Sequence, residues 1–225
     1  MKLLAVDTST EACSAALYID GETLGRFRIA PRDHTRLILP MIEEVMAEAG
    51  VARGELDALA LGRGPGSFTG VRIGTGVVQG LALALDLPVV PVSTLAAMAW
   101  GALRGAESTR VHAVIDARMG EVYYAAYERA DRGVREVAAE RVCAADSVPE
   151  DVVDAIGVGT GWGAYRDALS TRLARVADVR AEFFPDARDI AELAAPIAAQ
   201  GGGVAPELAL PVYLRNQVTH AAARQ

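Results

Sequence analysis

Lysine is almost missing from this chain: Lys2 is the sole one, and every other basic side chain is arginine. A phosphate loop of the Walker type ends in lysine followed by Ser or Thr, so that class is excluded. Schiff-base chemistry on an interior lysine is excluded with it. Cysteine is scarce too. Cys13 and Cys143 stand far apart in apolar surroundings and form no Cys-x-x-Cys pair, which predicts structural thiols in a reducing compartment. The three histidines, His34, His112 and His220, are scattered, so no two share the i, i+4 spacing that puts paired imidazoles on one helix face, and no metal site is legible. Aromatic residues are only 5% of the chain, and the net charge of −7 argues against stand-alone nucleic-acid binding, which rests on cationic surface. Long apolar runs are also wanting. The most apolar one is broken by Asp86 and Pro88, and Met1-Lys2 leads straight into Leu3-Leu4 with no leader pattern, so the expectation is a cytoplasmic protein with no membrane span.

Glycine is what the chain has in concentration. Gly62-Arg63-Gly64-Pro65-Gly66-Ser67-Phe68-Thr69-Gly70 joins the apolar run at residues 58–61 to a long apolar segment ending near Leu85. Such a loop can adopt positive φ angles and leave N–H groups uncommitted, and Ser67 or Thr69 is placed to cap the helix behind it. Strand, glycine loop and helix N-terminus form an anion-binding geometry in principle. The same pattern also serves as a tight connection between a strand and a buried helix. A hydrolase elbow is excluded because Ser67 is flanked by Pro65 and Thr69, and the Rossmann spacing fails where Thr69 stands in place of the last glycine. Within the following helix Gly70, Gly74, Gly76 and Gly80 each cost up to about 1 kcal/mol relative to alanine. Close approach of another backbone, from the core or from a partner, would offset that cost.

The rest of the chain repeats one plan. Strands are predicted over residues 3–6, 13–19 and 23–29, with a turn at Asp20-Gly21, then a helix beginning at His34-Thr35 and ending at Gly50. Pro40 is taken as an early-turn proline. A strand at residues 89–92 and a helix from Ser93-Thr94 to about Leu103 complete the first half, and residues 105–109 read as a linker. The second half opens on a strand at 111–115 ending in Asp116, as the first opens on one ending in Asp7. Strands at 122–127, 134–142 and 155–158 follow, then Gly159-Thr160-Gly161, a helix over 164–173, and a last helix starting at Asp186 or Asp189. Gly201-Gly202-Gly203 reads as a hinge, residues 211–215 as a docking tail and 219–225 as a frayed end. The duplication predicts two α/β lobes, residues 1–104 and 105–225, with Asp7 and Asp116 facing a shared cleft. Around phosphates in that cleft, Asp7, Thr8, Ser9, Gly64, Gly66, Ser67 and Asp116 are the candidate ligands, since carboxylates suit hard cations. A strand-end aspartate can equally cap a turn.

Four segments, Ala5-Val6-Asp7-Thr8-Ser9-Thr10, the glycine string continued through Val71-Arg72-Ile73-Gly74, Ile115-Asp116-Ala117-Arg118-Met119-Gly120-Glu121-Val122-Tyr123 and Pro211-Val212-Tyr213-Leu214-Arg215, resemble the bacterial TsaB family, also called YeaZ. The resemblance implies a duplicated actin-like, RNase H-like (ASKHA) fold, two lobes with mixed sheets flanked by helices. It further implies a non-catalytic subunit for threonylcarbamoyladenosine formation at the adenosine next to the anticodon, partnered by the paralogue TsaD and the ATPase TsaE. Transfer RNA would be met only through the complex. The paralogue carries a helix-borne histidine pair that this chain lacks, so no catalytic residue is assigned here. The implied partner face is the early helices, through Leu37, Met41, Val45, Val71, Gly74, Val77, Val78 and Leu81, with a homodimer formed when the partner is absent. No cofactor is expected for the chain alone, and ATP or ADP with magnesium is expected only at a complex interface. The alternatives are an ATP-dependent phosphotransferase or ATPase of the same superfamily and a peptidase, the latter lacking any recognisable nucleophile, base and orienter set.

Overall fold

The computed structural model describes residues 1–215. Aliphatic residues directly after Lys2 form strand β1 (Lys2–Asp7), in which Leu3, Leu4, Ala5 and Val6 are buried. Strands β2 (Ala12–Ile19) and β3 (Glu22–Ile29) follow as an antiparallel hairpin. Its two turn residues, Asp20 and Gly21, both have positive φ, 49° and 110°, as a two-residue turn matched to the strand twist requires. Helix α1 (His34–Ala49) lays Ile38, Met41, Ile42, Val45 and Met46 on this sheet, and Gly50 ends it in the left-handed conformation. Pro40 lies past the first turn, on the exposed side. Strand β4 (Ala58–Gly62), helix α2 (Phe68–Leu85) and strand β5 (Val89–Val92) then add two parallel strands beside β1. Helix α2 starts at Phe68, and Ser67 caps it by accepting the Gly70 amide.

The second half repeats the first. After helix α3 (Thr94–Leu103) come strands β6 (Arg110–Arg118), β7 (Glu121–Ala130), β8 (Gly133–Ala144) and β9 (Ala155–Val158). Short helices α4 (Thr160–Ala164) and α5 (Arg166–Arg172) replace the single helix expected there, and strand β10 (Val176–Arg180) and helix α6 (Ala187–Ala199) close the order. The sheets run β3-β2-β1-β4-β5 and β8-β7-β6-β9-β10, so strand for strand they are the same mixed sheet. This is the duplicated two-lobed α/β fold expected. Strand β10 escapes a hydropathy reading because Val-Ala-Asp-Val-Arg sits at a sheet edge, pairs only with β9 and stays partly exposed.

The covering helices depart from the expected division at residues 104 and 105. Leu95, Met98, Ala99, Ala102 and Leu103 of α3 pack on Val111, Ala113 and Ile115 of β6, in the second lobe. Conversely Ala187, Ile190, Ala191 and Ala194 of α6 pack on Leu3, Ala5, Ala58, Ala60, Val90 and Val92, in the first. Each sheet therefore takes a helix from the other half of the chain, and alanines on both sides of the α6 contact let the helix approach closely. Burial of each large aliphatic side chain here contributes about 1.5–3 kcal/mol. The lobes are thus tied together by their cores.

The triple glycine is not a hinge. Gly201 and Gly203 turn the chain with φ of 74° and 129°, and Val204 then pairs antiparallel with Val89 at the edge of the first sheet. From there the tail crosses α2, where Gln79 Nε2 donates to the Ala209 carbonyl at 3.3 Å, and Val212 N–H donates to the Arg63 carbonyl at 2.8 Å. The expected frayed end at 219–225 lies outside the described residues. Helix α2 is long and apolar enough to cross a membrane by length and composition, with a mean hydropathy of 1.3. In the fold its inner face, with Val71, Gly74, Val78 and Ala82, is buried against β4 and β1.

Candidate interlobe site

The glycine loop is shaped by the turn after β1. A β-carbon on Gly66 would collide with the Ser9 carbonyl and one on Gly70 with the Thr8 carbonyl, so these glycines admit the β1–β2 turn. The contact is fastened by Ser67 N–H donating to Ser9 O at 2.7 Å and by Thr8 Oγ1 donating to Gly70 O at 2.7 Å. Arg63 N–H is likewise spent on the Val92 carbonyl at 2.9 Å. Amides expected to be free for an anion are in part committed to the protein itself. Gly74 has the same purpose: its absent side chain makes room for Thr8 Oγ1, 2.8 Å from where a β-carbon would stand.

Asp7 is enclosed rather than facing a cleft. Its side chain is buried, with Oδ1 accepting from Ser9 N–H at 3.0 Å and both oxygens within 3.0 Å of Ser9 Oγ, which also accepts from Thr94 Oγ1 at 3.1 Å. Desolvation outweighs these bonds and pushes the carboxyl up from 3.8 to about 7. Asp116, in the other lobe, is saturated differently. Arg118 contributes its backbone N–H to Oδ1 and its Nη1 to Oδ2, both at 2.8 Å, and Tyr165 Oη donates to Oδ1 at 3.2 Å. The two carboxylates do not share a cavity, and no group of three candidate metal ligands occurs among the described residues. An Asp7 buried away from the cavity and an arginine-paired Asp116 do not fit a magnesium ion, so no step is routed through one.

Between the lobes lies a cavity of about 780 Å³. Of the expected phosphate ligands, Ser9, Gly66, Ser67 and Asp116 line it, while Asp7, Thr8 and Gly64 do not. The residues that dominate it were not singled out from the sequence as a site. Arg72, on the first turns of α2, sits with its guanidinium carbon 3.6 Å from the Phe68 ring centroid, and its Nε donates to Tyr213 Oη at 2.8 Å. Phe68 and Tyr213 stand 5.6 Å apart, centroid to centroid. Tyr213 belongs to the tail, which the sequence shows only as apolar enough to dock. His34 also lines the cavity, but its Nε2 lies 3.2 Å from the Ala12 carbonyl and it shares no hydrogen bond with a serine among the described residues, so no nucleophile and base pair forms.

The expected partner face is rearranged. Met41, Val45, Val71, Gly74 and Val78 are buried inside this chain, because the apolar stripes of α1 and α2 turn toward their own sheet. Leu37, Val77 and Leu81 are half-buried at the edge of that core. The large apolar side chains that α1 and α2 expose are Leu39, Phe68 and Leu83, and at Gly76 and Gly80 of α2 a side chain would stand in open space.

A second polar cluster closes the lobes on the far side of the loop. Arg63 forks onto Glu140 of β8 with three contacts of 3.1 to 3.3 Å, and Glu140 also accepts from Tyr127 Oη at 3.2 Å and from Ser93 Oγ. In the second lobe His112 is buried with Nδ1 3.1 Å from Tyr124 Oη, and burial holds its imidazole down to about 4.

Comparison with known proteins fits this architecture. A family model described as TsaD, tRNA N6-adenosine threonylcarbamoyltransferase, matches residues 28–210. The tRNA threonylcarbamoyladenosine biosynthesis protein TsaB of Escherichia coli (strain K12) is 47% identical over 223 residues, covering 97% of this chain and 96% of that protein. Its namesake in Haemophilus influenzae is 44% identical over 229 residues, covering 97% and 95%. The solved structure of YeaZ from Pseudomonas aeruginosa superposes with a TM-score of 0.88 at 47% identity over 95% of this chain and 99% of that one. With near-complete coverage in sequence and in structure, the chain belongs to the TsaB (YeaZ) family.

Proposed function

We propose that this chain is the non-catalytic partner subunit of a TsaD paralogue in threonylcarbamoyladenosine modification of the adenosine next to the anticodon. The observation that carries the reading is the near-full-length match, at 47% identity, to a protein named for biosynthesis of that modified nucleoside. The interior supports it. With Asp7 enclosed, Asp116 paired to an arginine and His34 bonded to the Ala12 carbonyl, the described residues form neither a metal site nor a nucleophile and base pair in the interlobe cavity. An ATP-dependent phosphotransferase would need an ionised, accessible carboxylate at Asp7, and a peptidase would need an activated nucleophile.

The outward face of α1 and α2 is the partner surface in this reading. Leu39 and Leu83 are 51% and 74% exposed, and Gly76 and Gly80 lower the surface between bulkier neighbours, which lets a helix of the paralogue approach closely. Without the paralogue, two copies of this chain pair through the same face. TsaE and transfer RNA join through the assembled complex in the cytoplasm.

The test is reconstituted tRNA threonylcarbamoylation with the paralogue, TsaE, the adenylate-forming enzyme, ATP, threonine and bicarbonate, run with and without this chain. Product that appears only with the chain present is the expected result. Equal product without it would overturn the subunit role.

A further inference from the structure

The interlobe cavity has the wrong charge for this protein. Four arginines, Arg32, Arg72, Arg118 and Arg215, line it against two carboxylates, Glu11 and Asp116, in a chain whose net charge is −7. Arg118 is paired with both carboxylates, Asp116 at 2.8 Å and Glu11 at 3.4 Å, and Arg215 is paired with Glu121. Arg32 and Arg72 have no carboxylate partner among the described residues. Two guanidinium groups without a carboxylate partner thus line one cavity, where an anion can pair with them.

Arg72 is also held in place. Phe68 lies under its guanidinium and Tyr213 Oη takes its Nε, and neither terminal nitrogen has a hydrogen-bond partner among the described residues. A planar fork fixed in this way recognises an oxyanion with little further loss of side-chain freedom. The positive end of α2 adds to the same field. Beside the arginines the lining is mixed: Ser9, Thr10, His34 and Ser67 are polar, while Val71, Ile115, Val212 and the ring of Tyr213, 42% exposed, supply apolar and aromatic surface. A volume of about 780 Å³ is that of a small-molecule site and exceeds what a bare phosphate needs.

We infer that the cavity binds a nucleotide unit, its phosphate on Arg72 and Arg32 and its base against Tyr213 and the apolar wall. Magnesium and Asp7 have no part in this mode. The unit can come from a free mononucleotide or from an unpaired nucleotide of an RNA chain, since both offer a phosphate joined to an aromatic base.

Calorimetric titration of the full chain tests it with three probes: inorganic phosphate, AMP and a single-stranded RNA heptamer. Saturable binding of AMP or of the heptamer is expected, weakened at least tenfold by Arg72→Gln and by Arg32→Gln and unchanged by Arg132→Gln, whose side chain lies at a different cavity. Tyr213→Ala, which removes both the base contact and one of the two groups holding Arg72, is expected to weaken the base-bearing probes by a larger factor than phosphate. AMP binding names the free nucleotide as the source, and heptamer binding without AMP binding names RNA. Phosphate as tight as either would overturn the base contact. No binding by AMP or heptamer, or binding indifferent to both arginine variants, would overturn the site. Because the readout is binding by the chain alone, its failure leaves the subunit role standing, and failure of the modification assay leaves the site standing.

Discussion

The Asp7 carboxylate fills the space that a side chain at residue 62 would need: a β-carbon built on Gly62 falls on Asp7 Oδ2. Glycine at the end of β4 is therefore what allows an acidic group to be enclosed at the end of β1. Enclosure makes a strand-end aspartate that looks like a cation ligand into a core group whose carboxyl titrates near 7, because desolvation disfavours the charged form more than the Ser9 bonds favour it.

Stability should carry the mark of that proton. Unfolded, Asp7 titrates near its ordinary 3.8, and folded near 7, so between these values the folded state holds a proton that the unfolded state has lost. Its contribution to stability is greatest at the acid end of the window and falls as pH rises from about 4 to about 7, by up to about 1.4 kcal/mol per unit. His112 opposes it. Folded, its pKa drops from 6.5 to about 4, so it costs stability as pH falls through that interval. Asp7→Asn separates the two: urea denaturation should show the variant gaining on the wild type as pH is raised from about 5 to about 7.5. A constant difference would mean Asp7 is ionised in the fold.

Alanine at Gly66 or Gly70 should destabilise the chain by about 1–3 kcal/mol, since the added carbon meets the Ser9 or Thr8 carbonyl and the β1–β2 turn must move. Thermal melts of both variants check this. Alanine at Gly50, where nothing lies within 4 Å but φ is +64°, should cost less than either.

Glu140→Gln keeps the shape of the interlobe cluster and removes the charge that Arg63 forks onto. The expected loss is about 1–3 kcal/mol, because Glu140 is nearly buried and Arg63 would be left without its carboxylate. Denaturant titration reads the loss, and amide exchange at β8 should rise with it if the cluster holds the lobes together. Unchanged exchange would confine the effect to side chains.

The α2 face separates folding from association. Gly80→Ala places a methyl group in open space and should stabilise the isolated chain by up to about 1 kcal/mol through helix propensity. Leu83→Glu should leave stability within about 0.5 kcal/mol and weaken the complex with the paralogue on size-exclusion chromatography. Val78→Glu would place a charge in the core, where the side chain is fully buried, and so should unfold the chain before it reports on any interface.

Much of the architecture was legible because local patterning carries it. Alternating and continuous apolar runs marked nine of the ten strands, Ser93 and Gly50 marked helix ends, and the repeat of an Asp-ended strand revealed the duplication. The missing strand, β10, has no apolar run, and in the structure it takes the place in the second sheet that β5 takes in the first. Which side of α1 and α2 faces outward was not legible, because a stripe at helical spacing has two possible neighbours. Val78 and Gly74 lie on the stripe that meets the chain's own sheet, and nothing in the spacing says which stripe that is.

The sequence by itself determined the elements, the two-fold repeat and the class of the fold, since turns, caps and apolar periodicity act between residues close along the chain. It could also exclude chemistry that needs lysine or paired histidines. Only the tertiary structure decided that Asp7 is enclosed, that α3 and α6 are exchanged between sheets, and that Arg72, Phe68 and Tyr213 meet around a cavity. Tyr213 lies 141 residues from Arg72 along the chain, and the burial that sets the charge of Asp7 is the sum of neighbours from β1, β4 and α6. Such distances are closed by packing, which no local pattern records.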